Sequence, residues 1–263
     1  MKRFPYVALL VLIFAMLACV VPGVSPEATA TATILPSDTP SPTDTAMPTD
    51  TATPLPTATP DVAATAAVKA TQSAGDVLDE LDKLLDDTDI PYKEGHLAWQ
   101  QAKPLNIKLT GPDNQVLEIG DEITAGNFIF KSDVTWEASG LILCGAVFRS
   151  EPNLEEGKQY QFLYLRLSGL PAWGVEVHEF GHFKNSLTKS KYSDALDLGN
   201  GATNQFVIVA QDEQFTVYIN NVRQGTYYDY SKQRMEGSFG FLGLQDSGKG
   251  NCEYENSWIW ELK

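Results

Sequence analysis

The sequence predicts an all-β domain of the double-sheet jelly-roll class over residues 91–263. Apolar and polar residues alternate with period two from Phe128 to Trp136, the pattern of a half-buried strand. Asn220-Asn221 separates two such runs, and asparagine tolerates the positive φ angles of a two-residue hairpin turn. Similar short runs, bounded by Gly, Asn, Asp and Pro, recur at the spacing typical of a sandwich. These runs are Ile142–Arg149, Gln159–Leu167, Trp173–Val177, Asn204–Ala210, Gln214–Asn220, Gly237–Gln245 and Glu253–Leu262.

The composition excludes several functional classes. The 263 residues include 34 Asp+Glu and 19 Lys+Arg, which gives a formal net charge of −15 at pH 7. Nucleic acid is therefore not an expected partner, because phosphate binding requires clustered cations. Three Cys and three His do not suffice for a disulfide-dense scaffold or most zinc architectures, and no cofactor is expected.

The N-terminus has the pattern of an export signal. Lys2 and Arg3 precede an apolar run from Val7 to Val21, which is shorter than the roughly 20 residues that span a bilayer. The run ends in Met16-Leu17-Ala18-Cys19, which resembles a bacterial lipobox. We therefore expect residues 1–18 to be removed and Cys19 to carry a lipid that anchors the protein to the bacterial cell envelope, with its domain extracytoplasmic. The alternative is an ordinary signal peptide with an incidental Cys.

Residues 19–60 are predicted to form a disordered stalk. From Pro26 to Pro60 the chain is dominated by Thr, Pro, Ala and Asp and contains no aromatic residue, Lys or Arg. Such a segment cannot bury enough apolar surface to offset the entropy of ordering it. In polyproline II geometry it would reach about 100 Å.

Residues 61–90 are predicted to form a helical spacer. Apolar residues recur on one helical face, and Gly75-Asp76 is a plausible start signal for the better-patterned second half. This face consists of Val77, Leu78, Leu81, Leu84 and Leu85. A helix that docks this stripe on the following domain is favoured over an interaction or oligomerisation helix, because the repeat covers too few heptads for a coiled coil.

Three segments carry a resemblance to a known superfamily. They are Cys144-Gly145-Ala146-Val147-Phe148-Arg149, the hairpin Gln214–Asn221, and Gly240–Gln245 followed by Tyr254–Trp260. Their order resembles the concanavalin A-like lectin/glucanase superfamily, and most of all the 3-keto-disaccharide hydrolase-like domains of bacterial surface proteins. The resemblance covers roughly residues 123–263 and implies a β-sandwich that faces carbohydrate.

One string matches a catalytic motif. His178-Glu179-Phe180-Gly181-His182 satisfies H-E-x-x-H, which on a helix holds zinc with two His and uses the Glu as general base. The flanking residues favour two strands around a Phe-Gly turn instead, and no His follows His182 as a third ligand. We therefore expect a surface hairpin without metal.

A binding surface is the remaining expectation. Glycosidases need two carboxyl groups roughly 5–10 Å apart, and the E-x-D-x-x-E string of the related family 16 glucanases does not occur here. On the strand Tyr160–Leu167 we expect the Leu residues to face the core, with Tyr160, Phe162, Tyr164 and Arg166 on the opposite face. The ligand-binding candidates are Arg149, Tyr164, Arg166, Trp173 and Gln245. Trp136, Trp258 and Trp260 are expected in the core.

Two functions remain open at this stage. The favoured one is a lipid-anchored, non-catalytic lectin-like module that binds glycan or a cell-envelope protein. The alternative is a surface hydrolase, either directed at glycan or zinc-dependent through residues 178–182. In either case, an oxidising compartment would favour a disulfide between Cys144 and Cys252, the two Cys that remain if Cys19 is lipidated.

Overall fold

The structure is a computed structural model. It describes the backbone of residues 62–86, 88–120, 123–167 and 170–263, and of residues 62–68, 166, 167 and 170 it describes the backbone alone. The predicted signal peptide, Cys19 and the predicted stalk lie outside the described residues. Among the described residues, no helix is long and apolar enough to cross a membrane.

Two antiparallel sheets of seven strands each form the domain, which confirms the predicted all-β sandwich. Sheet A has the strand order β1-β14-β4-β10-β11-β12, and β2 also pairs with β14. Its strands are β1 (His96–Gln100), β2 (Leu105–Thr110), β4 (Phe128–Ala138), β10 (Thr203–Gln211), β11 (Gln214–Ile219), β12 (Val222–Tyr228) and β14 (Lys249–Glu261). The first two strands of the chain, β1 and β2, therefore both pair with its last strand, β14.

Sheet B has the strand order β3-β13-β5-β6-β7-β8, and β9 also pairs with β7. Its strands are β3 (Asp113–Ile119), β5 (Ile142–Ser150), β6 (Gln159–Leu167), β7 (Leu170–Glu179), β8 (His182–Ser186), β9 (Lys191–Tyr192) and β13 (Ser238–Gln245). The predicted hairpin joins β11 to β12 in sheet A, where Asn220 and Asn221 both have positive φ, 49° and 64°. This sign at both central positions is what a type I′ turn requires.

Aromatic side chains fill the space between the two sheets. Phe206 of sheet A contacts Phe130 of the same sheet, with ring centroids 5.4 Å apart, and Phe162 of sheet B, at 5.2 Å. All three are fully buried. Such pairs add about 0.5–1.5 kcal/mol each beyond the burial of their area, so the aromatic residues hold the two layers in one relative position.

A disulfide also joins the two sheets. Cys144 on β5 and Cys252 on β14 are bonded, with Cα atoms 5.8 Å apart, and both are fully buried. The predicted pairing is confirmed. It crosses the core and closes a loop with a sequence separation of 108 residues.

A long helix, α1 (Val62–Leu85), packs on the outer face of sheet A. Its residues Val77, Leu81 and Leu85 are at most 1% exposed. They pack against the outward-facing residues Ile129, Val207, Val209, Tyr218, Trp258 and Trp260. The predicted docking of the apolar stripe is therefore present. Of the three tryptophans expected in the core, Trp136 lies between the sheets, whereas Trp258 and Trp260 are buried under this helix.

The helix occupies most of the spacer predicted over residues 61–90. It runs without a break through Gly75, so the start signal at Gly75-Asp76 does not interrupt it. Glycine in a helix interior costs only about 1 kcal/mol relative to alanine, and the alanine-rich segment before it has high helix propensity. Local propensity therefore extends the helix beyond its docked stripe.

Removal of the disulfide tests its role as an inter-sheet link. We expect the Cys144→Ala/Cys252→Ala protein to lose about 2–4 kcal/mol of unfolding free energy, because the open chain regains loop entropy in the unfolded state. Urea unfolding of the disulfide-bonded wild type and of the variant, both without reductant, measures the difference. Equal stabilities would show that noncovalent packing alone sets the separation of the layers.

Candidate functional site

The predicted binding face of β6 is directed into the core. Tyr160, Phe162 and Tyr164 are at most 1% exposed and belong to the inter-sheet cluster, whereas Leu163 and Leu165 are half-buried on the outer face. The assignment of Tyr164 to an exposed ligand-binding face is therefore wrong. From Phe162 to Leu165 both sides of this strand are apolar, and the space between the sheets takes the larger rings, which pack against Trp136 and Phe206.

Arg149 is also buried, because a β-bulge changes its direction. Val147 pairs with Gly240 and Ser150 with Ser238, so Phe148 and Arg149 together oppose one residue of β13. Arg149 has a φ of 47°, and its guanidinium donates to the carbonyl oxygen of Gly126 from Nε (3.0 Å) and Nη2 (2.6 Å). Burial lowers the pKa of Arg149 to about 10, which leaves the group charged at neutral pH. Its predicted role as a ligand contact is wrong for this reason.

The remaining candidates do not form a binding surface either. Trp173 is 2% exposed and packs against Phe162 and Tyr227 in the core. Gln245 is 1% exposed, and its side-chain amide donates to the carbonyl of Ser247 within the turn between β13 and β14. The predictions for Trp173 and Gln245 are therefore wrong. The side chain of Arg166 lies outside the described residues.

The H-E-x-x-H string forms a β-hairpin, as its flanking residues indicated. His178 lies next to the last residue of β7, Glu179, and His182 begins β8, while the turn residues Phe180 and Gly181 both have positive φ. The His178 Nε2 atom lies 3.0 Å from Glu176 Oε2, and His182 is exposed. In the described part of the chain, no group of three or more His, Cys, Asp or Glu side chains is arranged to hold a metal ion.

A polar groove lies instead on the outer face of sheet A, beside α1. It consists of two adjoining depressions of about 480 and 340 Å³ that share Glu80, Lys131 and Trp258. Ligand sites commonly have about 300–1,000 Å³. The residues that line this polar groove further include Lys83, Gln101, Lys103, Gln205, Asn221, Glu255, Asn256 and Ser257.

Asp133 connects polar side chains that line this groove. Its Oδ1 accepts a hydrogen bond from Gln205 Nε2 (3.1 Å), and its Oδ2 accepts one from Asn256 Nδ2 (2.9 Å). Lys131 Nζ lies 3.8 Å from Asp133 Oδ1 and 3.3 Å from Glu80 Oε2. Three strands and the helix therefore contribute to one connected set of charges and amides.

A second β-bulge positions Asn256. Glu255 pairs with Asp133 and Trp258 with Lys131, so Asn256 and Ser257 together oppose one residue of β4. Asn256 has a φ of 49°, a left-handed conformation that asparagine tolerates better than most residues. Gln101 closes this bulge, because its Nε2 donates to the Tyr254 carbonyl and its Oε1 accepts from the Ser257 N–H. Bulges often redirect side chains next to binding sites.

The groove is close to electrically neutral although the protein is strongly acidic. Lys131 has only 6% of its side chain exposed, and the Trp258 indole beside it donates from Nε1 to Glu80 Oε2 (3.2 Å). Around the groove, the carboxylates are Glu80, Asp133 and Glu255, and the ammonium groups are Lys83, Lys103 and Lys131. This balance favours a neutral ligand over a strongly charged one.

Sequence reasoning missed this site. The alternation on β4 correctly separated Lys131 and Asp133 from the inward-facing residues. It did not show that Gln205 and Asn256 come from other strands to meet them. Two charged residues at successive outward positions of an apolar strand were the available signal.

At the far end of sheet A, the loop after β12 is folded around the buried carboxylate of Asp229, which is 3% exposed. The carboxylate accepts hydrogen bonds from Tyr160 Oη, from the N–H and hydroxyl of Ser231, and from the Gln233 N–H. Burial alone would raise the pKa of Asp229, but these hydrogen bonds outweigh it and hold the pKa below its usual value. Burial and the bond to Asp229 raise the pKa of Tyr160. The loop is thus held by an ionised carboxylate.

Among the comparisons with known proteins, only the one with solved structures finds similar proteins. No protein-family model matches the chain, and no curated protein matches it. A carbohydrate-binding module from Bacillus subtilis is 14% identical over 63% of this chain and 94% of its own, with a TM-score of 0.46. A protein of unknown function with a galectin-like fold from Bacillus subtilis is 12% identical over 65% and 89%, at 0.47. A Bacillus licheniformis β-glucanase is 9% identical over 61% and 79%, at 0.42.

The Asp229 network predicts a pH-dependent contribution to stability. Because its pKa is lower in the folded than in the unfolded state, this contribution is complete above the unfolded value of about 3.9 and is lost as the pH falls through the folded value. At pH 7 we expect Asp229→Asn to cost about 1–3 kcal/mol, and the difference from wild type to shrink in acid. Urea unfolding from pH 7 to 2 measures both, with the exposed Asp246→Asn as a control. A pH-independent difference would contradict the role of the charge.

Proposed function

We propose that this protein is a lectin-like module that binds a neutral glycan, without catalysis, in the polar groove beside α1. The observation that carries the proposal is the connected set of Lys131, Asp133, Gln205 and Asn256, whose hydrogen bonds fix donors and acceptors around one open volume. A groove with a few fixed polar groups is the usual form of a small-molecule site.

The chemistry of the groove suits a polyhydroxylated ligand. Each sugar hydroxyl can both donate and accept a hydrogen bond, and the groove offers ammonium and amide donors next to carboxylate acceptors. The buried Trp258 indole closes the wall that the two depressions share and donates its Nε1 hydrogen to Glu80. Because the carboxylates and ammonium groups of the groove balance each other, a ligand without charge can bind there without leaving a net charge unpaired.

The same contacts support binding over hydrolysis. A glycosidase requires a protonated carboxyl group as general acid. The Asp133 carboxylate accepts hydrogen bonds from the side-chain amides of Gln205 and Asn256. The Glu80 carboxylate pairs with the Lys131 ammonium group and accepts the Trp258 indole N–H. Neither carboxylate is arranged to deliver a proton. Hydrolysis of the 3-keto-disaccharide type therefore remains the alternative that an activity measurement would test.

Substitution of Asp133 tests the proposed binding site. We expect Asp133→Ala in the full chain to weaken binding of the glycans selected on an array by about tenfold or more, because loss of an anchoring contact costs at least about 1.4 kcal/mol. Gln205→Ala should weaken binding of the same glycans. Glu137→Ala is a matched control, since Glu137 is exposed on the same strand and the same face.

The readout is the dissociation constant from calorimetry, with the melting temperature of each variant as a check of folding. Unchanged affinity in a folded Asp133→Ala protein would contradict the proposed site. Cleavage products after prolonged incubation with the bound glycan would favour the hydrolase.

We further propose that a lipid on Cys19 anchors the module to the bacterial cell envelope, supported by the apolar run that ends in Leu17-Ala18-Cys19. In a bacterial host, the intact mass should correspond to a chain that begins at Cys19 and carries a diacylglyceryl group. Cys19→Ser should release the protein from the membrane fraction. A soluble wild-type product cleaved at another residue would contradict the anchor.

A further inference from the structure

We propose that Tyr228 and Tyr230 form a second saccharide-binding site, a tyrosine platform on which the C–H face of a pyranose ring stacks. The site is separate from the polar groove and does not depend on it. Its ligand class follows from the exposed rings, their rigid support and the polar groups beside them.

The two rings are exposed and stack on each other in parallel, so a sugar would stack on the outward face of the pair. Tyr230 is 81% exposed and Tyr228 46%, and their centroids lie 5.6 Å apart with an interplanar angle of 9°. Tyr230 is the most exposed large hydrophobic residue among those that the structure describes. Since a ring so exposed contributes little to the core, its placement needs another explanation.

The loop that carries the platform is held rigidly from below. Asp229, between the two tyrosines, accepts the four hydrogen bonds described above. Arg234 adds a bond from its Nε to the Arg149 carbonyl (2.9 Å) and pairs with Glu151 (3.2 Å). A surface that is already ordered loses less entropy on binding. Buried charges thus support two rings that themselves face solvent.

Polar residues neighbour the platform along the loop and across the strand pair. Lys232 Nζ lies 3.6 Å from Glu213 Oε2, and both side chains are at least one-third exposed. Gln214 is the direct cross-strand partner of Tyr228. Aromatic faces with adjacent donors and acceptors match a pyranose, which has an apolar C–H face and polar edges.

The tyrosine platform and the polar groove lie on the same sheet face, separated by α1. On β10, Gln205 lines the groove. Gln211, at the other end of the same strand, pairs with Gln214 on β11, which in turn pairs with Tyr228 on β12. The six residue steps from Gln205 to Gln211 correspond to about 20 Å of strand. Between them, Val207 and Val209 contact the helix. A polysaccharide could therefore engage both sites from one side and gain avidity.

The test measures binding of cello-, xylo-, manno- and N-acetylchitohexaose to the full chain by calorimetry at millimolar concentration. We expect at least one hexasaccharide to bind Asp133→Ala, whose groove is impaired, and to bind Asp133→Ala/Tyr230→Ala about tenfold more weakly. Tyr230→Phe should retain the affinity because the ring is preserved. Tyr192→Ala is a matched control, since Tyr192 is a 69% exposed tyrosine on sheet B.

The outcomes separate this proposal from the proposed function. Affinity that is lost in Asp133→Ala but unchanged in folded Tyr228→Ala and Tyr230→Ala proteins overturns the platform and leaves the groove. Affinity that depends on Tyr230 and not on Asp133 supports the platform and contradicts the groove. Failure of all four hexasaccharides to bind, or binding of a proline-rich peptide in their place, overturns the saccharide assignment of the platform.

Discussion

The contact between α1 and the outer face of sheet A determines which parts of the protein are open to a ligand. Trp258, Trp260 and Val207 make this face apolar, and without the helix they would form an exposed patch of the kind that causes association. The polar atoms beneath the helix are also satisfied, since Trp260 Nε1 donates to the Tyr92 carbonyl (2.9 Å) and Trp258 Nε1 to Glu80. The helix leaves several parts of the face uncovered, and the polar groove and the tyrosine platform are two of them.

Sheet A can carry apolar residues on both faces because its inner face is held independently of the helix. The disulfide between Cys144 and Cys252 and the rings around Phe206 link it to sheet B. Each fully buried large apolar side chain contributes about 1.5–3 kcal/mol, and these contacts do not involve α1. The helix therefore adds a third layer to a sandwich that has its own core, and it can influence access to the outer face without being needed to close that core.

Most of the fold follows from local patterns in the sequence. Period-two alternation located β4, the Asn220-Asn221 pair located a hairpin, and the spacing of Val77, Leu81 and Leu85 identified the docked side of α1. Each of these patterns depends on neighbours within a few residues. The pairing of Cys144 with Cys252 followed from elimination, because two cysteines leave one possible partner.

The candidate site could not be predicted in the same way, because it depends on registers between distant strands. On β6, residues 162–165 are apolar on both sides of the strand, so alternation does not show which side faces the core. The direction of Tyr164 depends on where the opposite sheet leaves space for an aromatic ring. At Arg149 and Asn256, one additional residue in a bulge reverses the alternation that the sequence suggests. Both bulges have a non-glycine residue at positive φ, and nothing in the local sequence marks either position.

The charges in the groove are better explained by binding than by stability. Lys131 is almost fully buried between Ile129 and Asp133, on a strand whose outward residues could have extended the apolar contact with α1. Burying an ion pair costs desolvation that its attraction often fails to recover, so apolar residues at such positions are frequently neutral or stabilising. The arrangement around Asp133 instead keeps amides, carboxylates and an ammonium group in fixed directions next to open volume. Preorganised polar groups that contribute little to folding are what recognition of a hydroxyl-rich ligand requires.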